Sequence, residues 1–569
     1  MSLQIPEARS EVAKNARSVI DNPSPERLRE LALEHTPNVV RTANGSVNKV
    51  VSIAKARSAG NTYFVSDDPS KHSAKTMSRA DAAKIAALQD AYIAKHEVIR
   101  VDGWIGCHPE GRVGATLWIT REGANIAGMQ EVMYFPLTPE ERAGFTPDFE
   151  IIYTPGLYLE GHDKGRCILV DVDRYVTRIM GSDYFGESKK AGLRMLNAKV
   201  YRDGGLMLHA GAKATPVRGP DGKVQKKLLL IMGESGTGKT TSTFSPQGNQ
   251  EVGFSESIQD DFVMLYPGGR CFATENGCFA IAYGLREDSE PIIYHGAMAS
   301  DAWLENVYQD EKGVLDFHKA KLTPDEIRHW HGALQRSGVS DADLAAHEGG
   351  QKPYTWTKNA RVIIPMRSIE TAGDTRDLPA PAAIGVLNRN TNIIPAVVRF
   401  KTNAQAAAYF MLGETMGTAA SGADAGKAKR SPFTNPFFPL RDEQQANRYM
   451  ELAATMPDVF NFMMNTGWVG GDEEAEAKGE ALKVKIRHSS AILQALADHS
   501  VAWETDPDFG YEVAKAIDGV PIELLQPKRF YEAKGRGAEY AEIVARLHAE
   551  RRAYLETFTG LDPSIVAAV

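Results

Sequence analysis

One contiguous run in this chain has residue types and spacing suited to phosphate chemistry: Gly233-Glu234-Ser235-Gly236-Thr237-Gly238-Lys239-Thr240, followed by Thr241. In the pattern G-x-x-x-x-G-K-[ST] the glycines let backbone amides turn inward around phosphate oxygens. The lysine neutralises charge, and the hydroxyl reaches a divalent metal. The run points to the polyphosphate of a nucleoside triphosphate and to phosphoryl transfer. Glu234 stands at a variable position, so its carboxylate is expected to point away from the phosphates.

A metal beside such a loop is ordinarily held by an acidic residue that follows an apolar strand. Asp260-Asp261 is the candidate pair. The lead-in at 255–259 is too polar for the usual buried strand, and Pro246 cuts the helix after the loop short. Both features depart from ordinary ATPases of this motif, and they leave open a solvated turn ahead of an apolar strand at 262–266.

The elements that must position these residues follow from patterning. The apolar run 228–232 predicts a buried strand entering the loop, and 239–244 predicts the helix leaving it. Helical spacing at 80–96 and 535–557, and extended patterns at 116–120 and 151–154, make the chain mixed α/β. Turn residues at 216–223 suggest a boundary, giving an amino-terminal domain at 1–218 and a nucleotide-binding domain at 219–569. Between 262 and 284 short apolar runs alternate with turns, a hairpin pattern. Polar stretches at 338–351, 413–431 and 470–479 read as surface loops.

Composition narrows the partners. With 569 residues, 43% hydrophobic, 24% charged and a formal charge of −8, the chain reads as a globular protein with no call for nucleic acid. No eighteen-residue apolar run occurs, and residues 1–15 mix Glu7, Arg9, Glu11 and Lys14, so neither a membrane span nor a signal peptide is expected. Four scattered cysteines, Cys107, Cys167, Cys271 and Cys278, predict reduced thiols and a cytoplasmic location. Oligomeric state is not encoded in these patterns.

The short helix, the Asp-Asp pair and the segment Asn276-Gly277-Cys278-Phe279-Ala280 together resemble the ATP-type phosphoenolpyruvate carboxykinases. The resemblance extends upstream to Gly181-Ser182-Asp183-Tyr184-Phe185-Gly186-Glu187-Ser188-Lys189-Lys190, similar to a Tyr-x-Gly-Glu-x-Lys-Lys segment, and to Leu206-Met207-Leu208-His209-Ala210. Downstream, Leu304-Glu305-Asn306-Val307, Asn359-Ala360-Arg361-Val362, Pro395-Ala396-Val397-Val398-Arg399 and Asn465-Thr466-Gly467-Trp468 fall in the family's order.

This resemblance implies a two-domain fold with its active site in the cleft between the domains. It further implies conversion of oxaloacetate to phosphoenolpyruvate with ATP, Mn²⁺ and Mg²⁺. By resemblance, Lys190, His209 and Asp261, with Asp260 adjacent, would bind Mn²⁺, and Thr240 the Mg²⁺ of the nucleotide. A lysine ligand must be neutral, which Lys189, burial and the metal would favour. Arg57 would hold a substrate carboxylate, Tyr184 would lie against the substrate, and Arg361 would reach the transferring phosphate. Read singly, Lys189-Lys190 fits a solvated basic pair and His209 a core histidine equally well.

Two segments depart from the family. Ala59-Gly60-Asn61-Thr62 stands where a Pro-Lys-Asp-Lys run is usual, and Ala419-Ala420-Ser421-Gly422-Ala423-Asp424-Ala425-Gly426 stands in place of Thr-Glu-Arg-Gly. Lys427, Lys429 or Arg430 could substitute for the lost arginine, or form a solvated charge cluster. The departures keep two alternatives in view: a related kinase acting on another small carboxylate or enol, and an inactive nucleotide-binding regulator.

Overall fold

In the computed structural model the run expected to enter the phosphate loop is the end of a longer strand, Val224–Met232, whose last five residues are buried. A stretch apolar on both faces suits the interior of a covered sheet. The structure describes residues 11–51, 59–219, 221–234, 237–249, 251–319, 323–326, 342, 345, 359–416, 428–432 and 437–569. Two compact units are formed: Met1–Lys199 with Thr274–Glu370, and Val200–Ala273 with Thr371–Val569.

The second unit is built on an eight-stranded mixed sheet. Its order is Glu256–Gln259, Ala210–Arg218, Val224–Met232, Pro381–Asn388, Phe460–Asn465, Val397–Arg399, Glu512–Ala514 and Trp503–Thr505. Val224–Met232 runs parallel to Pro381–Asn388, which runs parallel to Phe460–Asn465. Leu228, Leu230, Ile231, Phe462 and Ile492 belong to one large apolar core that also takes in Tyr540, Leu547 and Leu555. These last three lie on the helix Gly537–Glu556, close to the carboxyl-terminal helix expected from spacing.

The first unit holds an eight-stranded mixed sheet that includes Val113–Thr120 and Phe149–Thr154, the two extended patterns read from sequence. The helical pattern at 80–96 is the helix Arg79–Ile93, capped by Ser78, whose hydroxyl accepts from the Asp81 amide. A second sheet, of five strands, has the order Gly277–Ile281, Arg361–Pro365, Trp303–Glu305, Val47–Lys49 and Val39–Arg41.

Three expectations meet a different arrangement. A single cut at 218 does not divide the chain: Ala210–Arg218 pairs along its length with Val224–Met232, so the turn residues there close a hairpin. Thr274–Glu370 returns to the first unit, because Trp303–Glu305 adds in parallel to Val47–Lys49. The hairpin pattern expected over 262–284 is met in part, by Val263–Leu265 pairing with Cys271–Ala273. Gly277–Ile281 pairs with Arg361–Pro365 instead. The polar lead-in to Asp260 is a strand after all, Glu256–Gln259, at the sheet edge with Ser257, Ile258 and Gln259 buried.

Of the expected loops, 470–479 contains a short helix, Glu473–Ala477, capped by Asp472. In 413–431 the strand Thr415–Met416 pairs with Ala428–Lys429, and 417–427 lies outside the described residues. All of 338–351 except 342 and 345 also lies outside them. No helix among the described residues is long and apolar enough to cross a membrane.

Candidate active site

The phosphate loop leaves its strand at Gly233, whose amide donates to the His209 carbonyl at 3.2 Å. A Cβ at Gly233 would meet Thr237 Oγ1 at 2.5 Å and Leu387 Cβ at 3.2 Å, so this position is closed to larger residues. Thr237 turns the loop by donating its hydroxyl to the Glu234 carbonyl at 2.7 Å. Gly238, at φ +93°, starts the helix Lys239–Phe244 from the left-handed region, where a side chain would be strained. Ser235 and Gly236 lie outside the described residues. Thr240 and Thr241 occupy the first helical turn, half-buried.

Around this loop the second unit gathers three of the expected residues. His209 Nε2 lies 2.9 Å from Asp261 Oδ1. The Lys239 ammonium donates to the same Oδ1 and, at 3.4 Å, to the Asp261 carbonyl. The His209 ring stacks on Phe262 with centroids 4.8 Å apart, and its buried Nδ1 has no hydrogen-bond partner among the described residues. Asp260 is buried beside this group. One residue missed from sequence acts here: Thr466 donates its hydroxyl to the Thr237 carbonyl at 2.6 Å, bracing the loop. Its only sequence signal was membership of the Asn465-Thr466-Gly467-Trp468 segment.

This geometry suits a divalent cation in part. Adjacent ligands of an octahedral ion with bonds of about 2.1 Å lie about 3 Å apart, and His209 Nε2 and Asp261 Oδ1 have that separation. An imidazole with a carboxylate suits a first-row transition ion such as manganese better than magnesium, which prefers oxygen ligands. The Lys239 ammonium already rests on the same carboxylate, so the position favours positive charge. Among the described residues no cluster of three or more His, Cys, Asp or Glu side chains is placed to hold a metal. The pair therefore needs a further ligand of another kind.

In the first unit Tyr184, Lys189 and Lys190 sit at the start of the helix Phe185–Arg202. Burying charge in a helix of the core requires partners. Lys190 Nζ contacts Glu187 Oε1 at 3.1 Å and lies over the Tyr184 ring at 5.8 Å. Lys189 contacts Glu275 at 3.3 Å and lies over Phe279. Glu187 also faces Arg194 at 3.6 Å, and both are buried completely. The basic pair is thus not a solvated one. Its counter-charges, Glu187 and Glu275, went unremarked in the sequence because a carboxylate's partner is set by packing.

Glu305 closes the amino end of this helix, accepting from the Phe185 amide at 2.9 Å. Burial pushes its carboxyl up to about 8, with Asp183 adding to the rise and the Phe185 amide, Lys49 and Arg361 opposing it. Arg361 is opposite Glu305 in the paired strands, is buried, and donates to its own neighbour's carbonyl, that of Ala360, at 2.9 Å. Lys49 is paired with Asp183 at 3.0 Å. Arg57 lies outside the described residues.

Comparison with known proteins places these groups in context. The family model described as phosphoenolpyruvate carboxykinase, ATP type, matches residues 17–329 and 347–523. The chain is 29% identical over 395 residues to the phosphoenolpyruvate carboxykinase (ATP) of Aeropyrum pernix, covering 68% of this chain and 69% of that one. It is 26% identical over 579 residues to that of Parvibaculum lavamentivorans, covering 98% and 95%. Against phosphoenolpyruvate carboxykinase (ATP) 1 of Moorella thermoacetica it is 26% identical over 547 residues, covering 92% of each. With a phosphate loop, a shared carboxylate at its mouth and a match along most of its length, the chain belongs, as a divergent member, to the ATP-type phosphoenolpyruvate carboxykinase family of enzymes.

Proposed function

We propose that this enzyme converts oxaloacetate and ATP to phosphoenolpyruvate, carbon dioxide and ADP. The observation that carries the reading is the convergence of Lys239 and His209 on one oxygen of Asp261 at the mouth of the phosphate loop. Loss of carbon dioxide leaves the electron pair of the broken carbon–carbon bond in an enolate, whose oxygen takes the γ-phosphoryl group. Both partners are anions, so catalysis here is largely placement of positive charge.

In this reading Lys239 turns from Asp261 to the polyphosphate, and Asp261 and His209 are the residues that would hold Mn²⁺. Family resemblance adds Lys190 as a further ligand, and Thr240 would hold the Mg²⁺ carried by the nucleotide. A divalent ion bound at the His209–Asp261 pair supplies Lewis-acid polarisation of substrate oxygens. Arg57 would fix a substrate carboxylate, Tyr184 would pack on the substrate, and Arg361 would neutralise the transferring phosphoryl group. The free thiols of Cys107, Cys167, Cys271 and Cys278 support a reducing, cytoplasmic setting.

Purified protein given Mn²⁺, ATP and oxaloacetate is expected to form phosphoenolpyruvate. Folded protein that binds ATP but yields no product in either direction would refute the proposal. One observation favours a second reading, a kinase for another small carboxylate or enol. Gly60 and Thr62 stand where the family carries lysines, and the nearby ammonium of Lys75 is turned to the Gly60 carbonyl at 2.8 Å. Turnover with a different acid, and none with oxaloacetate, would establish it.

A further inference from the structure

Of the three cations considered as substitutes for the family's missing arginine, two lie in described residues, and the second unit treats them differently. Arg430 is committed to carboxylates: its Nε donates to Glu414 at 2.9 Å and its Nη2 to Glu550 at 2.9 Å. Glu414 is in turn gripped by Arg551, through Nε at 3.1 Å and Nη2 at 2.8 Å, and Arg551 also donates to the Tyr409 hydroxyl at 2.9 Å. Glu414 and Arg551 are almost wholly buried. The cluster fixes the paired strands Thr415–Met416 and Ala428–Lys429, in which Thr415 is opposite Lys429. Lys429 is the cation left facing the phosphate loop, with its ammonium 3.7 Å from the Glu234 carboxylate and its side chain 38% exposed.

Glu550 and Arg551 belong to the helix Gly537–Glu556, past residue 523, where the family match ends. A helix beyond the residues matched by the family model therefore braces the segment in which the family's Thr-Glu-Arg-Gly is missing. A bidentate, buried Arg–carboxylate pair has the rigidity such a brace needs. Among the described residues the ammonium of Lys429, by contrast, has a long, solvent-touched ion pair of the kind that contributes little to stability. Its partner is an acidic residue inside a loop built for anions, where a carboxylate beside phosphates is unfavourable unless neutralised.

We propose that Lys429 is a nucleotide-binding residue: Glu234 holds its ammonium at the loop, and the polyphosphate of the nucleotide takes it over on binding. The proposal rests on the reading of residues 233–240 as a nucleotide site. The paired strands Thr415–Met416 and Ala428–Lys429 and the Arg551–Glu414–Arg430 cluster act as positioning groups. Arg430 is excluded from the role by its two carboxylate partners.

Calorimetric titration with MgATP tests this, using the full chain and the variants Lys429→Met, Lys429→Arg, Glu234→Gln and the double variant Glu234→Gln/Lys429→Met. Lys429→Met is expected to raise Kd about tenfold or more, the scale of a lost charge-assisted contact, while Lys429→Arg stays within about threefold of wild type. The double variant separates a nucleotide contact from a simple neutraliser of Glu234. It remains weak if Lys429 touches the nucleotide, and it regains wild-type affinity if the lysine only offsets the glutamate. Such recovery, or an unchanged Kd in Lys429→Met, overturns the proposal. Absence of binding in the wild type would instead refute the nucleotide reading and the proposal with it. Unchanged melting temperatures exclude misfolding as the cause of a weakened variant.

Discussion

In the second unit two cationic or proton-bearing groups, Lys239 and His209, share one oxygen of Asp261. In the first, Lys189 and Lys190 have separate carboxylates, Glu275 and Glu187. A carboxylate oxygen can accept from both donors, so an incoming anion can take the lysine while His209 keeps the carboxylate partnered, and a cation can take the lysine's place. Separate buried pairs are already satisfied, and removing one partner leaves the other charge exposed to the cost of desolvation. The contrast separates Lys239 and His209, expected to exchange partners during turnover, from Lys189, held in place by Glu275.

The largest expected effect breaks the shared site. Lys239→Ala should lower kcat/KM by about 10³-fold, the scale of losing one preorganised charge contact, with little change in the denaturation midpoint. A comparable loss of stability would instead make Lys239 a fixed ion pair like those of the first unit.

Next in size is the opposite case. Glu187→Ala strips the counter-charge from buried Arg194 and from Lys190 together, and should cost about 3–5 kcal/mol in urea unfolding. A loss below 1 kcal/mol would show that Arg194 is satisfied elsewhere.

A smaller effect is expected at Glu305. Its carboxyl keeps a proton up to about pH 8 in the folded chain and loses it near the ordinary value of 4.5 when unfolded. Between these values the folded state binds more protons, so its contribution to stability is full below pH 4.5 and is lost as pH rises through about 8. Glu305→Gln should match wild type at pH 5 and exceed it by about 1–3 kcal/mol at pH 9. Parallel pH curves for the two proteins would contradict the assignment, in which Asp183, Lys49 and Arg361 face the carboxyl.

The smallest effect is at the loop brace. Thr466→Val removes the hydroxyl donated to Thr237 and should cost about 1 kcal/mol, read as a small rise in the Kd for MgATP. No change in Kd would place the bond outside the nucleotide site.

Legibility differed along the chain for physical reasons. The strand, loop and helix over 224–244 were readable because glycine spacing, an apolar run and a following helix are local features. The Asp260-Asp261 lead-in was misjudged because its polar residues can be buried once they find distant partners, as Ser257 does at the Thr371 hydroxyl at 2.9 Å. The 216–223 turn looked like a linker because a tight hairpin and a domain boundary use the same residues. Pairing of Gly277–Ile281 with Arg361–Pro365 was hidden because its partner lies some eighty residues away.

The sequence alone determined that the run 233–240 has the glycine, lysine and hydroxyl spacing of a phosphate loop, and the family to which the order of its motifs points. Each rests on local spacing or on composition. Tertiary structure alone decided that Asp261 is the carboxylate shared by His209 and Lys239, that Lys190 and Lys189 are held by Glu187 and Glu275, and that Arg430 is bound to Glu414 while Lys429 faces the loop. These are choices among several chemically equivalent partners. Only the packing of distant strands and helices brings one of them within hydrogen-bonding reach.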